Sequence, residues 1–199
     1  MAGYNDGTGL RLLRRAQRLR VPAGFILAPL VLVASRPTSL SLATGSALAF
    51  VGLGIRAWAS GCLKKNEELA TAGPYAYTRN PLYLGTLLLG AGVAVCTRSL
   101  WFAAVFGVFY ILFYIPVMIA EADTLEKLFP EEYAAYSERT PLLLPRLTSF
   151  GTATRRPGKK SSSVSVFDSA LYMRHREYRA LLGFLVVLSF LIVKSRLNL

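Results

Sequence analysis

Residues 73–85 read Gly73-Pro74-Tyr75-Ala76-Tyr77-Thr78-Arg79-Asn80-Pro81-Leu82-Tyr83-Leu84-Gly85, a polar and aromatic connector punctuated by glycine that runs into an apolar stretch. Its neighbours have the composition of membrane spans, which puts the connector where water meets the bilayer. Ionisable and amide groups such as Arg79 and Asn80 are costly there unless they cap a helix, reach the interface or hold a ligand. The connector therefore marks where chemistry is expected.

Outward from it, five apolar stretches approach the roughly 20 residues that a helix needs to cross a bilayer. They are residues 21–35, 40–60, 82–97, 100–120 and 180–193. The first, third and fifth are short, which suits helices that tilt little, thin the bilayer or borrow flanking residues. The chain has 199 residues, 53% of them hydrophobic, and fits one all-α, polytopic membrane domain with about five transmembrane helices. It divides into a basic amphipathic N-terminal segment (1–20), a four-helix membrane core (21–146), a basic polar linker (147–178) and a C-terminal transmembrane helix (179–199).

Charge orients this arrangement, because loops on the cytoplasmic side of a membrane are enriched in Lys and Arg. With the N-terminus inside, only Arg36, Arg98, Lys194 and Arg196 fall on the outer side, and every acidic residue falls on the inner side. The N-terminus and the active face are thus expected to be cytoplasmic. The alternative for the N-terminal region is a cleaved targeting sequence, since a basic stretch before a short apolar run has that form. The first span makes the downstream charge pattern consistent, which favours an uncleaved helix. The net charge of +12 comes from juxtamembrane residues with no nucleic-acid-binding motif beside them, so anionic lipid headgroups are the expected partners rather than nucleic acid.

Within the spans, Gly45, Gly52 and Gly54 in the second and Gly85, Gly90 and Gly92 in the third offer smooth faces for close helix contact. Arg56 and Trp58 close the second span, either as interfacial anchors or as pocket-lining residues. Asn80-Pro81 has the form of a helix cap followed by a first-turn proline. Pro116 predicts a kink in the fourth span. Leu125, Leu128, Phe129, Tyr133 and Tyr136 recur at helical spacing, which predicts two short surface helices broken at Pro130 and ended by Pro141 and Pro145. Cys62 and Cys96 are read as packing residues at opposite ends of neighbouring helices.

Two motifs then stand in order. Gly73-Pro74-Tyr75-x-x-x-Arg79-Asn80-Pro81-x-Tyr83-x-Gly85 is followed about forty residues on by Glu121-x-x-x-Leu125-x-x-x-Phe129-Pro130-Glu131-Glu132-Tyr133-x-x-Tyr136. Together they resemble the isoprenylcysteine carboxyl methyltransferase and phospholipid methyltransferase superfamily, over roughly residues 50–146. The resemblance implies a helical membrane enzyme with a cytoplasmic-face pocket for S-adenosylmethionine, methylating a lipophilic small-molecule acceptor. It implies cofactor contacts from Glu67, Leu69 and Ala70 just before the glycine turn, and from Tyr75, Arg79, Asn80, Pro81, Tyr83 and Glu121. Glu121 and Arg79 are the catalytic candidates; no metal is implied.

The chain departs from that family at three places. Asn80 stands where histidine is common, and an amide cannot titrate near neutrality, so no proton transfer is expected from it. Val117 replaces the arginine one helical turn before the glutamate that would hold a prenylcysteine carboxylate. Ala122 replaces an adjacent second glutamate.

Methyl transfer from a sulfonium is an in-line displacement with a good leaving group, so the protein's main tasks are alignment and exclusion of water. An amine or hydroxyl acceptor would also need a proton acceptor, for which Glu121, Asp123 or a water could serve. On this reading Glu121 contacts the cofactor's ammonium or ribose hydroxyls, Tyr75 and Tyr83 pack on its adenine or sulfonium, and Arg79 pairs with its carboxylate. The plain alternatives are a solvated Glu121, a snorkelling Arg79 and tyrosines of the aromatic belt. Two other classes share the architecture: a membrane reductase of the sterol-reductase type using a nicotinamide cofactor, and a non-catalytic scaffold. Binding of S-adenosylmethionine, of a reduced dinucleotide or of neither separates the three.

Overall fold

The computed structural model describes residues 35–63, 68–146 and 167–197. The N-terminal segment, almost all of the first expected span, Glu67 and most of the basic linker lie outside the described residues. Among the described residues every regular element is helical: α1 (Ser39–Cys62), a 3-10 turn (Gly73–Ala76), α2 (Pro81–Thr97), α3 (Leu100–Leu128), α4 (Pro130–Arg139), α5 (Ser169–Arg174) and α6 (Tyr178–Leu197). By length and composition α1, α3 and α6 can each cross a membrane, and α2 is a shorter apolar helix. Apolar side chains such as Phe50, Ile111, Leu112, Val186 and Ile192 are exposed on these helices, as on surfaces that face lipid.

Capping starts the first helix. Thr38 and Ser41 form a reciprocal box, with the Ser41 amide donating to Thr38 Oγ1 at 3.3 Å and the Thr38 amide donating to Ser41 Oγ at 2.9 Å. With 24 residues α1 is about 36 Å long, more than the roughly 30 Å hydrocarbon core. α2 runs back antiparallel to it, and the seam between them is made of glycine. A Cβ on Gly52 would sit 2.6 Å from the Gly85 carbonyl oxygen, and one on Gly92 would sit 2.6 Å from both the Ala49 amide and the Gly45 carbonyl. The two backbones touch, which is how helices associate in lipid where hydrophobic burial supplies little drive. Gly54 has nothing within 4 Å of where its Cβ would be and takes no part in the seam.

Arg98, in the left-handed region at φ 52, reverses the chain, and Ser99 caps α3 by accepting from the Phe102 amide at 3.1 Å. α3 then continues for 29 residues through Pro116. The expected first surface helix is therefore the end of the spanning helix itself. No Gly or Pro interrupts residues 117–129, and the helix stops only at Phe129, whose successor Pro130 disfavours a helical backbone before it. α4 begins at once, with Pro130 in its first turn and Glu131 and Glu132 at its positive end.

α6 packs on the other side of α1, where Phe184 meets Phe50 edge-on at 5.4 Å and joins Ala49 and Leu53 in a buried cluster. The residues just before it are docked rather than loose. Asp168 caps α5 with its carboxylate, and its own amide donates to the Gly61 carbonyl at 3.0 Å.

Candidate functional site

The connector, the lower turns of α2 and α3, α4 and the start of α6 converge at the end of the bundle where α1 finishes. Gly73 opens the connector at φ +60, a left-handed conformation that costs glycine little, and allows Pro74, Tyr75 and Ala76 to turn inward and be buried. The segment after α4 clamps the rest of the connector. Arg79 donates its amide to the Pro141 carbonyl at 2.9 Å, Arg146 its amide to the Tyr77 carbonyl at 3.0 Å, and the Thr78 hydroxyl donates to the Leu143 carbonyl at 2.9 Å. Asn80 occupies the N-cap position of α2, yet its side chain makes no capping bond; Nδ2 donates instead to the Leu142 carbonyl at 2.9 Å. Its amide is used to hold the connector to the chain after α4.

Two side-chain contacts tie the first motif to the second. The Tyr83 hydroxyl donates to Glu121 Oε1 at 2.8 Å, and Arg79 Nη1 donates to the Tyr133 hydroxyl at 3.1 Å with its guanidinium 6.0 Å from the Tyr133 ring centre. Glu121 lies 21 residues after Leu100, about 31 Å along α3, which is where a helix entering at the far interface emerges. Its side chain is exposed, while Arg79, Asn80 and Tyr83 are half-buried. Tyr110 fixes the strut from below, its hydroxyl donating to the Tyr83 carbonyl at 2.9 Å.

Tyr75 is buried at the centre of this group. Burial pushes its phenol far above the ordinary tyrosine range, and the neighbouring Tyr136, Glu121, Cys62 and Glu177 push it the same way, so it stays neutral and can donate a proton in a hydrogen bond. Burial also raises the Tyr136 phenol, with Arg79 pulling it back and Tyr133 raising it further.

Pro81 is fully buried and acts in packing at the start of α2 rather than on an open surface. Leu69 and Ala70 are half-buried ahead of the turn. Val117, one turn before Glu121, is buried, so no cation stands there. Arg56 turns inward, donating to the Leu82 carbonyl at 3.2 Å, to Thr86 Oγ1, and to Glu177 at 2.6 Å. Glu177 and Tyr110 are not legible as site residues along the chain, because their sequence neighbourhoods carry no motif. Among the described residues no group of three or more His, Cys, Asp and Glu side chains is placed to share a metal ion. A cavity of about 650 Å³ lies at the opposite end of the bundle, lined by Thr38, Thr44, Val95, Arg98 and Ala103. At the connector end Tyr77 and Glu121 are exposed, while Tyr75, Thr78, Pro81, Tyr133 and Tyr136 are buried.

The fold thus defines an all-helical, multi-pass membrane protein whose polar and aromatic groups gather at one end. A family model described as phospholipid methyltransferase matches residues 39–132. The cobalt-zinc-cadmium resistance protein CzcN of Cupriavidus metallidurans is 36% identical over 165 residues, covering 77% of this chain and 74% of that protein. The nickel-cobalt-cadmium resistance protein NccN of Alcaligenes xylosoxydans xylosoxydans is 37% identical over 87 residues, 44% of this chain and 40% of that protein. No solved structure matches the chain significantly. The chain belongs to the phospholipid methyltransferase family.

Proposed function

We propose that the protein is an S-adenosylmethionine-dependent methyltransferase acting on a lipophilic acceptor, with its site at the connector end. The observation that carries this reading is the Tyr83–Glu121 bond, which joins the two motifs across 38 residues of sequence and leaves the carboxylate exposed to a ligand. Family membership supports the reaction class.

The residues fit the donor's charge pattern. Arg79 Nε is buried with no hydrogen-bond partner among the described residues, a guanidinium donor whose desolvation calls for an acceptor such as a carboxylate. Glu121, one oxygen held by Tyr83, keeps its second oxygen for an ammonium or ribose hydroxyl. The half-buried Tyr83 supplies aromatic surface for a sulfonium or a purine ring, while the buried Tyr75 backs the site from within. S-adenosylmethionine supplies an electrophilic methyl on a good leaving group. The protein's part is to hold the donor by these contacts, align an acceptor arriving from the lipid and keep water away. For an amine or hydroxyl acceptor, Glu121 also takes the proton.

The acceptor is a membrane-soluble molecule, and the basic inner face, cytoplasmic by the charge distribution, meets anionic lipid rather than nucleic acid. The names of the two relatives add a setting, resistance to divalent metals, in which this chain would alter an envelope molecule by methylation. Metal tolerance of a strain lacking the gene, with and without the Glu121→Gln gene restored, tests that setting.

The chemical test is equilibrium binding of radiolabelled S-adenosylmethionine to the full chain in detergent. Glu121→Gln should weaken it by about tenfold, the loss of one charge-assisted contact. Labelled methyl transferred into a membrane lipid extract would identify the acceptor. Wild-type protein that neither binds the donor nor labels any lipid overturns the reading.

A further inference from the structure

The match to the phospholipid methyltransferase model ends at residue 132, yet the chain beyond it sends an acidic side chain back into the bundle. Glu177, in the turn between α5 and α6, makes a 2.6 Å ion pair with Arg56 of α1, the two side chains only 14% and 20% exposed. Arg56 stands six residues before the end of α1, about 9 Å from it, in a helix that spans the membrane. A lone arginine at that depth snorkels toward water. This one points sideways instead, with Nη1 on the Leu82 carbonyl and on Thr86 Oγ1, and with Nε buried and without a hydrogen-bond partner among the described residues.

A cation so placed needs a nearby counter-charge, because an unpaired ion in a low-dielectric setting is far more costly than a paired one. Glu177 provides it. What Arg56 grips is the first two turns of α2, on either side of Tyr83, and Tyr83 is the residue that holds Glu121. The path is continuous: Glu177 to Arg56, Arg56 to the Leu82 carbonyl and Thr86, those turns to Tyr83, and Tyr83 to Glu121.

The docking of Glu177 is itself built. Asp168 bonds the Gly61 carbonyl, Phe167 packs on Gly61, and His175 Nδ1 lies 3.1 Å from the Ser60 carbonyl oxygen, so the segment before α6 is strapped across the end of α1.

We infer that Glu177 is a positioning residue of the candidate methyl-donor site: by neutralising Arg56 it keeps Arg56 turned onto the first two turns of α2, and so holds Tyr83 and Glu121 in register. The inference rests on the reading of that site as the donor site, and it makes the C-terminal helical segment part of the working site. The methyl donor does not touch Glu177; the effect passes through Arg56.

The test uses the full chain in detergent and has one arm that needs no donor. Hydrogen exchange of residues 82–86, measured by mass spectrometry, should quicken about tenfold in Glu177→Gln as the grip on those turns is lost, while residues 92–97 at the far end of α2 keep their wild-type rate. In the second arm, affinity for S-adenosylmethionine should fall about fivefold in Glu177→Gln and recover in Glu177→Asp, which restores the charge. The double variant Arg56→Gln/Glu177→Gln should bind no more weakly than Arg56→Gln alone, because the two act as one unit. Unchanged exchange at residues 82–86, or losses that multiply in the double variant, overturns the inference. Failure of the wild-type protein to bind the donor overturns the proposed function instead, and the exchange arm still decides the inference.

Discussion

The Tyr136 hydroxyl donates a 2.7 Å hydrogen bond to the backbone carbonyl of Tyr75, joining α4 to the 3-10 turn across 61 residues of sequence. Both residues are buried, and the bond pins the start of the connector against the helix that carries the end of the second motif. Arg79, on Tyr133 one helical turn earlier in α4, pins its other end. The connector is held as a rigid arc rather than a surface loop.

Removing that pin has a defined cost. Tyr136→Phe keeps the ring but leaves the Tyr75 carbonyl without its donor, a loss of about 1–3 kcal/mol for a buried polar group. The melting temperature of the detergent-solubilised protein should fall by several degrees, and affinity for S-adenosylmethionine should fall with it. A variant that melts like wild type would mean that the carbonyl finds another donor.

The glycine seam separates two substitutions of the same kind. Gly52→Ala places a methyl 2.6 Å from the Gly85 carbonyl oxygen and 2.7 Å from the Leu89 amide, both backbone atoms that move only if α1 and α2 part. Gly54→Ala places it in open space. The first should destabilise the protein by about 1–3 kcal/mol through overpacking, while the second should be neutral or stabilising by up to about 1 kcal/mol from helix propensity. Thermal unfolding of the pair reads the difference, and equal melting temperatures would refute the seam.

At Arg79 the test is one of geometry. Lysine keeps the charge but lacks the planar fork that bonds Tyr133 and leaves Nε free for an acceptor. Arg79→Lys should reduce S-adenosylmethionine affinity by about tenfold, the worth of one charge-assisted hydrogen bond, and should lower the melting temperature as the bond to Tyr133 is lost. If Arg79 were only an interfacial anchor, lysine would serve equally and affinity would not change.

Much of this is legible along the chain. The positions of α1, α2, α3 and α6 follow from the run lengths of apolar residues, and the start of α2 from Asn80-Pro81. The end of α3 does not follow in the same way. Its polar last turns have the spacing of a separate surface helix, because periodicity cannot tell a helix that leaves the membrane from one that begins outside it. Asn80 illustrates a similar limit: its place at a cap is a local matter, but its side chain is taken by Leu142, a partner 62 residues away.

Sequence alone determined that the chain is helical, membrane-spanning and built around two motifs, because hydropathy, capping residues and small-residue faces act over a few neighbouring positions. Only the tertiary structure decided that Tyr83 meets Glu121, that Tyr75 lies buried and bonded by Tyr136, and that Glu177 reaches Arg56 from beyond the family match. Those pairings are set by how packed helices bring distant turns to one depth, and a half-buried charge chooses its partner by proximity in space, which spacing along the chain does not encode.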